Sequence, residues 1–268
     1  MNKKPIGIFD SGVGGLTVFK EIRKRFPYED LIYFGDTARV PYGPKSRNTV
    51  IEYSVQNARF LIQQGAKIIV IACNTSSATA LTELQSILPV PVLGVIEPGA
   101  MSAVKTSISK RIGVIGTEGT IRSQAYSSAI SNLDKNCSVF SKACPLLVQL
   151  AEEGWEDHEV TKLTIKEYLT PLLKNSIDTL VLGCTHYPIL KTSIQQFAGN
   201  EITLVDSAQA VTDKLDEVLP NRETMGTGED RFYVSDNEDK FNKIASKILN
   251  MEIDKLIKVK LGEGWFLN

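Results

Sequence analysis

Two thiols in the sequence stand where chemistry is possible. The apolar run Ile68–Ala72 ends in Cys73, followed by Asn74, Thr75, Ser76 and Ser77 (VIACNTSSATA, residues 70–80). About 110 residues later, TLVLGCTHYPIL (179–190) repeats the pattern: an apolar run, then Cys184, Thr185 and His186. A buried cysteine is usually a small hydrophobe, and Cys137 and Cys144, with no polar companions, take that reading. Cys73 and Cys184 differ because hydrogen-bonding residues follow each of them. A thiol at a helix N-terminus is expected to lose its proton more readily than a free one.

Three chemistries use these residues. Zinc could take Cys73, Cys184 and His186, but Cys-x-His lacks the usual ligand spacing. A Cys184–His186 nucleophile would leave Cys73 idle. Acid–base chemistry employs both thiols: one thiolate removes a proton from a carbon while the opposing thiol delivers one from behind, inverting the centre. Each sulfur must then stand within about 3.5 Å of that carbon.

The elements that position the thiols form an internal repeat. IGIFDSGVGG at residue 6 resembles IGVIGTEGT at 112; VIACNT at 70 resembles VLGCTH at 181; VLGVIEPGA at 92 resembles ITLVDSAQA at 202. The copies keep the same order at nearly constant offset. Short runs apolar on both faces (6–9, 31–34, 68–72, 92–96, 112–115, 179–183, 202–205) alternate with helical patterns (16–26, 48–64, 161–174), as in parallel α/β sheets. A further strand (231–234) and a helix (238–249, capped by Ser235 or Asp236) are expected near the C-terminus. The expectation is two pseudo-symmetric α/β halves, residues 1–97 plus 208–268 and residues 98–207. Equivalent strand ends would then face each other across a cleft, and ligands collect at the carboxyl ends of such strands.

DSGVGG (10–15), CNTSS (73–77) and CTHYP (184–188) all lie at those ends. Free backbone N–H groups there, with Ser11, Asn74, Thr75 and Thr185, suit a small anionic ligand. Gly12-Val13-Gly14-Gly15-Leu16-Thr17 lacks the third glycine of a dinucleotide fingerprint, although Asp36 follows the next strand at a ribose-like distance.

The chain has 268 residues, 43% hydrophobic and 23% charged, with formal net charge −1. Scattered Lys and Arg give no footprint for nucleic acid or an anionic membrane. No apolar run reaches the length of a membrane span, and the run after MNKKP stops at Asp10, too short for a signal peptide. A cytoplasmic protein with four free thiols is expected.

GIFDSGVGGLTV, DTARVPYG, ACNTSSA, GVIEPGA and VLGCTHYP, in this order from residue 7 to 188, closely resemble the signature stretches of bacterial glutamate racemases, in the cofactor-independent aspartate/glutamate racemase superfamily. The resemblance implies two flavodoxin-like domains with the active site between them, and interconversion of L- and D-glutamate for peptidoglycan synthesis, with no cofactor or metal. It implies Cys73 as base toward D-glutamate and Cys184 toward L-glutamate. Asp10 would assist the first, His186 and Glu152 the second. Ligand contacts would come from Asp10, Ser11, Tyr42, Gly43, Asn74, Thr75, Thr185 and His186. A homodimer is implied, since dimers are common in the family. Gln149 in CPLLVQLAEE replaces a proline of many relatives, and the N-terminus lacks the extension of relatives activated by a cell-wall precursor. No such activation is expected. Aspartate as substrate, or an acidic-ligand binder without turnover, are the alternatives.

Overall fold

The computed structural model describes residues 4–219 and 226–261. Its strands are β1 (Ile6–Asp10), β2 (Leu31–Gly35), β3 (Ile68–Ile71), β4 (Val92–Gly94), β5 (Arg111–Gly116), β6 (Ser138–Ala143), β7 (Thr179–Gly183), β8 (Thr203–Asp206), β9 (Asp230–Val234) and β10 (Leu256–Lys258). They form two sheets, ordered β10-β9-β2-β1-β3-β4 and β6-β5-β7-β8, with every described pairing parallel. The repeat is explicit in this order: β2-β1-β3-β4 corresponds to β6-β5-β7-β8. It is the doubly wound order that begins 2-1-3-4 in flavodoxin-like sheets.

Register carries the repeat to the residue. Phe9 pairs with Ile71 in the first sheet and its repeat counterpart Ile115 with Leu182 in the second, followed by Gly116 with Gly183. Asp10 therefore lies beside the β3 end that leads into Cys73, and the β5 end lies beside the entrance to Cys184.

Both faces of the central strands are covered by helices. Ile8, Val70 and Phe19 share one core with Ala208, Val211, Leu215 and Phe241, so the helices Ser207–Val218 and Glu238–Leu249 belong with the first sheet. Ile96, Ala100 and Ala103, on the helix Ile96–Thr106, pack instead with Ile112, Val114 and Val181 of the second.

Three local expectations change. The strand expected at 92–96 stops at Gly94, because Val95 turns into the helix Ile96–Thr106. The helix Glu238–Leu249 is capped by Asn237, whose side chain accepts from the Lys240 N–H. Ser235 is engaged elsewhere, donating to Asp36. Strands β6 and β10 were not anticipated; both are half-exposed edges, so neither shows the doubly apolar run of a central strand.

Candidate functional site

Cys73 leaves β3 in extended backbone and precedes the helix Asn74–Ile87 as its N-terminal flanking residue. Its Sγ lies 3.7 Å from Ser11 Oγ. Burial pushes the thiol up to about 12, and the Asp10 carboxylate adds to the rise; the Ser76 N–H and the Ser11 hydroxyl only partly offset it. The helix N-terminus was expected to lower this value. Enclosure wins because desolvation penalises the thiolate more than the few N–H dipoles favour it.

Asp10 ends β1 and is fully buried. One carboxylate oxygen accepts from the Gly12 N–H at 3.0 Å and the other from the Thr185 hydroxyl at 3.2 Å. Burial nevertheless raises its pKa above the usual carboxylate range. The glycine loop is tight here: a Cβ on Gly14 would stand 2.6 Å from Thr185 Oγ1 and 2.8 Å from His186 Nδ1. A side chain at 14 would push the second half away.

Cys184 follows β7 and is succeeded by a 3-10 turn, Tyr187–Leu190, and then the helix Lys191–Ala198. Its Sγ is 3.9 Å from His186 Nδ1, and His186 Nε2 is 3.1 Å from Glu152 Oε1. Burial alone would lower the imidazole pKa; Cys184 and Glu152 outweigh it and hold His186 up to about 10. Burial likewise opposes ionisation of Glu152, but His186 and Lys240 bring it down to about 2. Glu152 ends the helix Leu146–Glu152, one turn from Val148, so a single face serves cavity and histidine. Gln149 points to solvent.

These strand ends enclose one cavity of about 20 Å³, lined by Ser11, Tyr42, Gly43, Cys73, Asn74, Thr75, Cys184, Thr185 and His186, with Val40, Pro41, Thr117 and Val148. Asp10 and Glu152, expected beside the thiols, stand behind this lining and act on it through Thr185 and His186. Asn74 Oδ1 accepts from the Tyr126 hydroxyl at 2.7 Å, which leaves the Asn74 amide N–H₂ buried without an acceptor. Thr75 shares a hydroxyl cluster with Thr117 (2.8 Å) and Thr120 (3.3 Å) of the other half.

The loop carrying Tyr42 and Gly43 is fixed by Asp36, which accepts from Tyr42, Arg39 and Ser235. Asp36 is thus a buried loop anchor, and its ribose-like spacing has this structural origin. The Tyr42 hydroxyl also accepts from Asn57 at 3.0 Å, so it is engaged by protein groups on both sides while the residue lines the cavity. Among the described residues no three His, Cys, Asp or Glu side chains converge as metal ligands, and Cys73, Cys184 and His186 make no zinc donor set.

The family model for Asp/Glu/Hydantoin racemase matches residues 15–215. The chain belongs to the Asp/Glu/Hydantoin racemase family. Among curated relatives, the glutamate racemase of Geobacter metallireducens is 52% identical over 262 residues, 96% of this chain and 97% of its own. Among solved structures, the glutamate racemase isoform RacE1 of Bacillus anthracis matches with TM-score 0.92 at 40% identity, covering 97% of this chain and 99% of the other. The glutamate racemase of Francisella tularensis in complex with D-glutamate matches with TM-score 0.90 at 40% identity and the same coverage. This chain is accordingly a racemase, an isomerase with the fold of two pseudo-symmetric α/β domains. No helix among its described residues is long and apolar enough to cross a membrane.

Val40, Pro41, Thr117 and Val148 line the racemase cavity without being singled out by the sequence, and Thr117 is the polar one among them. Its signal was present: in IGTEGT it occupies the repeat position of Ser11 in IFDSG. Locally it is a helix cap, accepting from the Thr120 N–H, and a cap gives no sign of a neighbour across a cleft.

Proposed function

We propose that this racemase interconverts L- and D-glutamate by direct proton transfer at Cα, with Cys73 and Cys184 as the two bases and no cofactor. The observation that carries the reading is that both thiols, from corresponding strand ends of the two halves, line a single cavity. A planar carbanion held between opposed sulfurs can be protonated on either face, and inversion follows without a change of ligand position.

The rest of the site supplies what such a reaction needs. Asp10, behind Cys73, and His186, beside Cys184, can each hold or relay the proton that their thiol gains or gives. Glu152 keeps the imidazole charged and oriented. Ser11, Asn74 and Thr75 offer hydroxyl and amide donors for the two carboxylates, with backbone N–H groups at Gly43 and the strand ends, while the Thr185 hydroxyl is engaged by Asp10. Charge that builds on the α-carboxylate as Cα loses its proton is stabilised by these fixed donors in a site closed to water. A cavity of about 20 Å³ has room for roughly one water, so the walls must part to admit glutamate and close again before chemistry.

We assign the thiols to separate domains, residues 1–97 plus 208–268 and residues 98–207; the separate cores around the two sheets support that division. The same reading places the protein in the cytoplasm as a homodimer, supplying D-glutamate to peptidoglycan synthesis. The test is circular dichroism of L-glutamate and, separately, D-glutamate incubated with pure protein in D2O. Both signals should decay to zero as deuterium enters Cα. Stable signals on glutamate with decay on aspartate would move the substrate, and stable signals on both would leave a binding protein.

A further inference from the structure

The Cys184 side of the site ends on a residue from the other half of the molecule. Lys240, on the helix Glu238–Leu249 that packs with the first sheet, donates from Nζ to Glu152 Oε2 at 3.0 Å. The second oxygen of the same carboxylate is 3.1 Å from His186 Nε2, and His186 Nδ1 is 3.9 Å from Cys184 Sγ. A line of polar contacts thus runs from a surface lysine of one half, through a carboxylate and an imidazole of the other, to the thiol.

From this geometry we propose that Lys240 is a positioning residue for the Cys184 proton transfer, locking Glu152 against His186 when the two halves are together. A carboxylate on a helix end has free rotation about its last bonds. With one oxygen held by Lys240, the other is presented to Nε2, and the imidazole ring is turned so that Nδ1 faces sulfur. Because Lys240 and Glu152 belong to different halves, the lock forms only in the closed arrangement. Opening to admit substrate breaks it and closing restores it. Lys240 touches no reacting atom; it also approaches the exposed Glu153 Oε1 at 3.8 Å, but reaches the thiol only through Glu152. The proposal rests on the two-thiol reading given above.

The test compares wild type, Lys240→Met, Lys240→Arg, Glu152→Gln and the Lys240→Met/Glu152→Gln double variant on both enantiomers. Lys240→Met is expected to lower kcat about ten-fold with little change in KM, and Lys240→Arg to restore most of it, since a guanidinium can still bind the carboxylate. In the Glu152→Gln background the Met substitution should add almost nothing, because the two residues act as one unit. In Lys240→Met the isotope effect from α-deuterated L-glutamate should rise and that from α-deuterated D-glutamate should fall, as the step at Cys184 becomes the slower one. A loosened helix would slow both directions without this skew.

A substrate-free measurement separates this proposal from the function itself. The chain contains two histidines, and His158 is an exposed helix cap stacked on Trp155. In 15N spectra the His186 Nε2 signal should move in Lys240→Met while the His158 signals stay. A His186 signal that ignores Lys240, an unchanged kcat, or a loss undiminished in the Glu152→Gln background would overturn the proposal. A responsive His186 in a protein without glutamate turnover would support the lock and reject the substrate.

Discussion

The Thr185 hydroxyl donates to Asp10 Oδ1 at 3.2 Å, joining the residue after Cys184 to the carboxylate behind Cys73. The carboxylate behind Cys73 is therefore tied to the strand end that carries Cys184. Asp10 is buried and its pKa is raised by that burial, with the Gly12 N–H and Thr185 among the groups that oppose the rise. Thr185→Val keeps the shape and removes the donor. We expect kcat to fall roughly ten- to a hundred-fold, with Thr185→Ser close to wild type, read by circular dichroism on either enantiomer. Equal activity in Thr185→Val would mean that the bond only packs the cleft.

The thiols themselves give the sharpest test. Cys73→Ala and Cys184→Ala should each cut racemisation by at least ~10³-fold while the melting temperature moves only a few degrees, since a buried sulfur contributes about 1–2 kcal/mol. Residual exchange should keep the handedness of the surviving base. In D2O, Cys73→Ala should label L-glutamate alone and Cys184→Ala D-glutamate alone. Labelling of both enantiomers by either variant would overturn the assignment of one thiol to each face.

What the sequence made legible was whatever is encoded locally and repeated. Central strands buried on both faces show as unbroken apolar runs, and three of them recur in order, so the two halves and the equivalence of Cys73 with Cys184 were readable. Half-exposed β6 and β10 carry no such signature. Properties set by the cleft were hidden for a different reason. The Cys73 thiol was expected to be lowered by its helix, a local effect, and is raised by enclosure and Asp10, which are tertiary. Thr117 reads as a cap until Thr75 meets it from the other half, and Lys240 lies 88 residues from the carboxylate it holds.

Tyr42 lines the cavity, and its polar atom is held by two buried protein groups. Its hydroxyl donates to buried Asp36 and accepts from Asn57, so Tyr42→Phe deprives a buried carboxylate of a donor and leaves the cavity wall in place. The expected cost is about 1–3 kcal/mol of stability, a fall in Tm of several degrees, with the Kd for glutamate within about three-fold of wild type by calorimetry. A loss of affinity with unchanged Tm would turn the hydroxyl into the ligand contact that the family resemblance implied.

The Glu152–His186 pair predicts a pH window for stability. Glu152 is lowered from 4.5 to about 2 on folding, burial opposing the shift and His186 and Lys240 driving it. A depressed carboxylate contributes stability that is present above its unfolded value and lost as pH falls through the folded one. His186 is raised from 6.5 to about 10, again against its own burial, by Cys184 and Glu152. Its contribution is complete below 6.5 and lost as pH rises through about 10. The contact between Glu152 and His186 is common to both shifts, beside Lys240 on the one and Cys184 on the other, so its contribution is complete only on a plateau between pH 4.5 and 6.5. Glu152→Gln should lower Tm most on that plateau, by roughly 4–8 °C for about 2 kcal/mol. The gap from wild type should narrow toward pH 2 and again toward pH 10. Melting curves of both proteins across that range would check it; a gap that keeps growing above pH 8 would show that Glu152 stabilises the fold through Lys240 rather than through a charged His186.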